Sequence, residues 1–266
     1  MTESTPTPEE FRSLAIDVSR LGAETLSSGS VARDAIAKGI PGDVVTEMDR
    51  AVELRIREFV SARRPDDRIV GEELPDSGSG TTGFEWYIDP IDGTSNFVHG
   101  LELYCTSVAA YDSSSERWIA GAIFVPSSGA VYAAAADAGS QKILADGTVI
   151  DLDARSAPGT PRLLGIGLSY DGEVRTRQLE DITARMRDYD DMRSLGTAAL
   201  ALCLVAEGVL ASFVETDLFV YDWAAGALIA EEAGAAIERP EGLGRGPIIA
   251  HGQGTRSPEG DDAPGR

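Results

Sequence analysis

The 266-residue chain is 42% apolar but only 6% aromatic, a globular composition whose core is filled by Ala, Val, Leu and Ile, and it is long enough for one compact unit of two subdomains. Its formal net charge of −21 excludes nucleic acid and anionic membrane surfaces as partners, because both are repelled over most of the exterior. No apolar run approaches the roughly 20 residues that span a bilayer, and residues 1–10 lack the basic-then-apolar order of a secretory signal, so the expected compartment is the cytoplasm.

Thr7, Pro8 and Glu10 have the order of an N-cap, a first helical residue and a capping-box acid. With Phe11, Leu14, Val18 and Leu21 at helical spacing, they predict a helix to about residue 29. Thr46 caps a second helix carrying Val52, Ile56, Phe59 and Val60 on one face, with Arg63 and Arg64 at its negative end and Pro65 beyond. Short β-type runs follow at 68–71, 85–88, 103–111, 118–125 and 130–136 between Gly, Pro, Ser and Asp turns, giving a largely antiparallel α+β first half. From Arg162 the pattern alternates: strand 163–168, helix 174–188, a short strand before Gly196, helix 197–207, strand 209–214, helix 223–233 and a last strand-like run at 247–251. The expected division is an N-terminal α+β subdomain over 1–152, an α/β subdomain over 153–251 and a disordered tail over 252–266, with the Ala/Ser/Pro/Gly stretch 153–161 as the boundary. Cys105 and Cys203 each lie in an apolar stretch and are expected to be buried core thiols. All but Lys38 and Lys142 of the 23 basic residues are arginines, which points to a GC-rich genome; the acid excess adds a possible halophilic, high-salt cytoplasm.

The most informative segment is Trp86-Tyr87-Ile88-Asp89-Pro90-Ile91-Asp92-Gly93-Thr94-Ser95-Asn96-Phe97, where a β-type run ends in two carboxylates three residues apart. Pro90 stiffens the turn, Gly93 allows close backbone approach to a ligand, and a short helix opening at Thr94 presents free amides to a phosphate. A bare D-x-x-D-G is also what an acidic turn looks like. Agreement among five segments decides against that: Asp43 to Asp49 leading into a helix, Gly71-Glu72-Glu73 ending a strand, the Asp89 turn, Gly196-Thr197-Ala198 opening a helix, and Glu215 with Tyr221-Asp222-Trp223-Ala224-Ala225-Gly226. Paired acids need a cation between them, and oxygen-only donors favour Mg²⁺ or Mn²⁺ over zinc.

These residues resemble the inositol monophosphatase family of lithium-sensitive, Mg²⁺-dependent phosphatases, through D-P-I-D-G-T-x-N-F and the W/Y-D-x-A-x-G motif at 221–226, over roughly 35–251. The resemblance implies a layered αβαβα sandwich of two subdomains sharing one active site, two or three Mg²⁺ ions with Mn²⁺ as a possible substitute, and a homodimer. It implies Glu72, Asp89 and the Ile91 carbonyl as ligands of a first metal, and Asp89, Asp92 and Asp222 as ligands of a second, with Glu72 also helping a third through water. Asp49 and Thr94 would orient and deprotonate the attacking water, with no covalent intermediate, while the Gly93 and Thr94 amides bind phosphate and Lys38 stands near the metal waters. Asp43 is expected as outer support and Glu73 as a surface acid; Glu215, Ala198 and Asp92 would meet the hydroxyls of a polyol. His99 is expected as a loop histidine without catalytic duty, and His251 receives no function.

The resemblance implies hydrolysis of a small polyol or sugar phosphate, inositol-1-phosphate first, with fructose-1,6-bisphosphate as a second or shared substrate. A nucleotide such as 3′-phosphoadenosine 5′-phosphate calls for a basic cluster that the motifs lack, and histidinol phosphate is a further alternative. A non-catalytic regulator that keeps the fold is the reading of another class; it calls for a lost ligand, whereas the ligand set is complete. Two departures stand out: relatives add a closing helix after the last β-type run, which bears on C-terminal packing, and Phe219 and Val220 make 217–221 more apolar than in inositol-preferring relatives.

Overall fold

The computed structural model describes residues 6–27, 35–38 and 44–253. Helix α1 (Pro8–Ser27) opens on the expected capping box: Glu10 Oε2 accepts from the Thr7 amide at 2.7 Å and the Glu10 amide donates to Thr7 Oγ1 at 3.3 Å. Strand β1 (Ala35–Ala37) pairs antiparallel with β2 (Val44–Thr46), and helix α2 (Glu47–Arg63) follows at once on its Thr46 cap. A seven-stranded sheet then takes β3 (Arg68–Gly71), β4 (Phe84–Asp92), β5 (Cys105–Asp112), β6 (Arg117–Val125), β7 (Ala130–Ala135), β8 (Ser140–Ile143) and β9 (Val149–Asp151) in chain order. In it β3 pairs parallel with β4, and every later pair is antiparallel. The short helix α3 (Thr94–His99) sits between β4 and β5.

The second sheet holds β10 (Leu163–Ile166), β11 (Asp191–Ser194), β12 (Ser212–Leu218), β13 (Ala236–Glu238) and β14 (Gly246–His251), in the order β11-β10-β12-β14-β13. Helix α4 (Gly172–Arg185) links β10 to β11, α5 (Ala198–Ala206) links β11 to β12, and α6 (Val220–Glu232) follows β12. The strands β11, β10 and β12 run parallel, and β14 and β13 are added antiparallel.

Alternation along the strands builds five layers. Trp86, Ile88, Val108 and Ala110 point to α1 and α2, whereas Tyr87, Ala109 and Tyr111 join the core filled by α5 and α6. On the second sheet Phe213 and Ile248 face α5 and α6, while Leu164, Ile166 and Val214 pack on Ile182 of α4. The result is the expected αβαβα order. The central layer is tight because its helices carry small residues: a Cβ at Gly226 would lie 2.8 Å from Leu202 Cβ, and one at Gly121 would lie 2.9 Å from Ala225 Cα. Both cysteines are buried free thiols.

Several boundaries differ from the sequence reading. Strand β4 continues to Asp92 because pairing with β5 resumes beyond a register shift. Strand β12 starts at Ser212, since the amides of Val209 and Leu210 turn back to the Leu204 carbonyl at the end of α5. The strands β8, β9 and β13 were not expected, being three or four residues long and polar or exposed. The expected tail disorder does not extend to Gly252 and Gln253, whose amides donate to Ala211 and Ala154 at 2.9 Å; residues 254–266, like Asp43, lie outside the described residues.

Candidate active site

Two residues three apart on a regular strand point to opposite faces. In the β4–β5 ladder Asp89 pairs with Ser107 and Asp92 with Cys105, so three steps on β4 match two on β5. The extra residue is a bulge at Pro90 and Ile91, held by the Thr106 hydroxyl donating to the Pro90 carbonyl at 2.9 Å, and it turns both carboxylates into one cavity. Gly93 follows with φ +95°, where a Cβ would come within 2.9 Å of the Leu103 carbonyl oxygen, so no larger residue fits. Asn96, which the motif contains but the sequence reading left without a role, donates from Nδ2 to the carbonyls of Leu103 (2.6 Å) and Leu195 (2.7 Å) and ties α3 to the turn before α5.

Four acids meet here, two from β4, one from the end of β3 and one from α6. Asp89 is 2% exposed, and its Oδ1 has no hydrogen-bond partner. Asp92 Oδ2 accepts from Thr197 Oγ1 at 2.5 Å and the Ala199 amide at 2.7 Å, which fastens β4 to the start of α5. Asp222, in the first turn of α6, accepts from the Phe219 amide at 2.7 Å. Glu72, just past β3, is held by Lys38 at 2.7 Å. Burial, then the charges of Glu72, Asp92 and Asp222, hold Asp89 far above the usual carboxylate range; burial, then Glu72 and Asp92, do the same to Asp222. Burial raises Glu72 against the pull of Lys38, and it pushes Asp92 up to about 6 although Thr197 and Ala199 oppose the shift. Buried acids that resist ionisation in one another's company are the surroundings a divalent cation relieves.

The donor set therefore fits a hard cation: carboxylate oxygens, one of them buried and unbonded, with no thiolate or imidazole among them. Among the described residues no three such groups already converge on a single point, and Glu72 is turned to the Lys38 ammonium instead. Lys38 also binds Glu73, so the expectation of a surface acid is corrected: the Glu73 side chain is 5% exposed, and burial lifts its pKa to about 7.

Asp49 is the capping-box acid of α2. Its Oδ2 accepts from the Thr46 amide at 2.8 Å and from Thr46 Oγ1 at 2.5 Å, which leaves Oδ1 for the Thr94 hydroxyl at 3.1 Å. That hydroxyl is also 3.0 Å from the Ile91 carbonyl. Burial raises Asp49 above the ordinary carboxylate range, against the Thr46 and Thr94 bonds.

A cavity of about 360 Å³ opens from these acids to the carboxyl ends of the parallel strands β10, β11 and β12, the crevice where open α/β sheets take ligands. Glu72, Asp89, Ile91, Asp92, Gly93 and Thr94 line it on one side; Ala198, Glu215 and Asp222 line it on the other. Asp49 and Lys38 do not line it, and Asp49 reaches it through Thr94. Glu215 is pushed up to about 8 by burial, then by Asp92 and Asp217, and it fits only because Gly167 faces it: a Cβ there would lie 1.7 Å from Glu215 Oε2. His99 ends α3 rather than lying in a loop, with Nδ1 2.8 Å from the Ser95 carbonyl, and His251 sits 3.0 Å from Ser212 Oγ at the far end of β14.

The sequence reading missed the support beneath Glu72. Glu53 and Arg57 of α2 form a buried pair at 2.7 Å. Glu53 accepts from the amides of Glu73 and Leu74, and Arg57 donates to the carbonyls of Leu74 and Pro75 and to Ser77 Oγ. The Glu-x-x-x-Arg spacing was the available signal, because on a helix it places the two side chains together.

The model of the inositol monophosphatase family matches residues 8–259. The chain belongs to this family. It is a metal-dependent phosphatase, of a family that typically uses Mg²⁺. Among its relatives, an inositol-1-monophosphatase of Mycobacterium leprae is 36% identical over 77% of this chain and 71% of its own length. A fructose-1,6-bisphosphatase/inositol-1-monophosphatase of Aquifex aeolicus is 32% identical over 77% and 76%. The solved structure of Mycobacterium tuberculosis SuhB superposes with a TM-score of 0.76 at 31% identity, covering 94% of this chain and 93% of the other.

Proposed function

We propose that this family member hydrolyses a small polyol or sugar phosphate monoester, inositol-1-phosphate first, with fructose-1,6-bisphosphate also accepted. The carrying observation is the buried Asp89 carboxylate, with one oxygen unbonded, among Glu72, Asp92 and Asp222. Glu72, Asp89 and the Ile91 carbonyl would hold one Mg²⁺, and Asp89, Asp92 and Asp222 a second; a third at Glu72, and Mn²⁺ as a substitute, belong to the same reading. Bound there, such ions polarise the phosphoryl group, activate water and stabilise the leaving oxygen.

The chain's own groups do the rest. Asp49 Oδ1 and the Thr94 hydroxyl form a relay whose far end is fixed by the Thr46 cap, so Thr94 can hand a proton towards a buried carboxylate while its oxygen orients the attacking water. The Gly93 and Thr94 amides at the start of α3 bind the phosphate oxygens. Glu215 and the Ala198 turn receive the hydroxyls of the leaving alcohol, and Lys38 holds Glu72 and Glu73. The names of the Mycobacterium leprae and Aquifex aeolicus relatives support the two substrates. We also propose two subdomains, 1–152 and 153–251, which meet across this cavity, a homodimer, and a high-salt cytoplasm as the working place of so acidic a chain. Among the described residues no helix is long and apolar enough to cross a membrane.

The test is phosphate release at low and high KCl, with and without Mg²⁺, from inositol-1-phosphate, fructose-1,6-bisphosphate, 3′-phosphoadenosine 5′-phosphate and histidinol phosphate. Mg²⁺-dependent release from the first two, faster than from the others, is expected. A preference for either of the last two would overturn the substrate assignment.

A further inference from the structure

Among the described residues the substrate cavity is lined by seven carboxylates, Glu72, Asp89, Asp92, Asp171, Glu215, Asp217 and Asp222, and by a single cationic side chain, Arg245, from the turn before β14. A built rim holds that guanidinium. Between β12 and β14, Glu215 pairs with Ile248 and Leu218 with Gly246, so one extra residue bulges out of β12. In that bulge Asp217 takes φ +74°, the left-handed region that non-glycine residues avoid. The bulge brings Asp217 to Arg245, whose Nε lies 2.7 Å from Asp217 Oδ1 and donates to the Asp217 carbonyl at 2.9 Å. The Ser169 hydroxyl donates to the other Asp217 oxygen at 3.3 Å. The guanidinium carbon stands 4.5 Å from the Phe219 ring centroid, and Phe219 stacks on Tyr221 at 5.4 Å. Among the described residues its hydrogen bonds run from Nε alone. The two terminal nitrogens, which carry four N–H donors, are therefore available to a ligand.

We propose that Arg245 is a specificity-determining residue that reads a second anionic group, a phosphate or carboxylate, on the leaving group of the substrate. The inference rests on the phosphatase reading of this site and deepens it. A monoester puts its one anionic group at the acid cluster and its hydroxyls at Glu215. A second negative charge on the same molecule would meet Asp217 and Asp171 and be repelled, with Arg245 as the one cation on its side of the cavity among the described residues. There the fixed fork of a guanidinium matches phosphate and carboxylate oxygens in pairs. The apolar Phe219, half-exposed at the rim, then has a purpose: its ring covers one side of the guanidinium at the cavity edge, which strengthens the pairing of that group with an anion.

The experiment is steady-state kinetics of the wild type, Arg245→Gln and Arg245→Lys on fructose-1,6-bisphosphate and on inositol-1-phosphate. Arg245→Gln is expected to lose about tenfold or more in kcat/KM on the bisphosphate, mainly through KM, with less than about threefold change on the monophosphate; Arg245→Lys should recover part of the loss. Equal losses on both substrates would make Arg245 a structural or general steering residue and overturn the inference, as would no loss on either. Wild-type turnover of inositol-1-phosphate without turnover of the bisphosphate overturns this inference and the second substrate, and leaves the monophosphatase reading standing. Wild-type turnover of neither overturns the substrate reading beneath it and this inference with it.

Discussion

The Glu53–Arg57 pair offers the sharpest test of how the metal-side loop is held. Replacing Arg57 by Met removes a side chain that is 8% exposed and leaves Glu53, which is 0% exposed, with only the Glu73 and Leu74 amides. It also strips donors from the carbonyls of Leu74 and Pro75 and from Ser77 Oγ. Breaking one side of a buried ion pair costs about 3–5 kcal/mol. For a chain of this size each kcal/mol lowers Tm by about 2–4 °C, so a fall of roughly 6–20 °C is expected by thermal unfolding followed by circular dichroism. Glu53→Gln with Arg57→Met should cost less than the sum of the two single changes, because the uncompensated charge is then gone. Since the pair carries the segment next to Glu72, the Mg²⁺ concentration for half-maximal phosphate release should rise as well. A Tm within about 2 °C of wild type would refute the reasoning, as it would put the pair's contribution near that of an exposed one.

Asp92→Asn keeps an oxygen that can accept from Thr197 and Ala199, so it should fold normally yet lose about a hundredfold or more in turnover; full activity would remove Asp92 from the metal assignment. Gly167→Ala places a methyl group 1.7 Å from Glu215 Oε2, and the displaced carboxylate should raise KM for inositol-1-phosphate about tenfold with the Mg²⁺ dependence unchanged. Glu215 also sets a pH dependence. Its folded pKa, about 8, lies above the unfolded value, so the fold binds the extra proton, and the stability this contributes is full below about pH 4.5 and is lost as pH rises through 8. In chelator-treated enzyme Glu215→Gln should therefore gain in Tm relative to wild type between pH 5 and 9; a constant difference across that range would exclude Glu215 as the titrating group.

The parts of the site that were legible in the sequence are those whose signal is local. Thr46 announces a helix cap, and the capping box it makes with Asp49 proves to be what orients Asp49 towards Thr94. Asp89, Asp92 and Gly93 announce a turn that must turn sharply. The elements followed from periodicity, since the helices α1 and α2 and the longer strands carry their burial pattern in sequence, whereas the layered order came from the family resemblance. What escaped was non-local or polar. Strands β8 and β9 lack an alternating apolar face and exist because β7 offers an edge to pair with. The bulges at Pro90–Ile91 and Thr216–Asp217 are mismatches between two strands and have no signature on either one alone. Glu73 looked like a surface acid because nothing near it in sequence shows that Lys38, 35 residues away, covers it. Arg245 is one arginine among many until the fold sets it over the cavity.

The central claim is that Asp89 is the shared anchor of divalent cations in this cluster. Free Mn²⁺ measured by electron paramagnetic resonance during titration of the wild type and Asp89→Asn tests it most directly. The account predicts at least two Mn²⁺ per wild-type chain, displaced by Mg²⁺, and loss of that binding in a folded Asp89→Asn. Equal Mn²⁺ binding by the two proteins would contradict it.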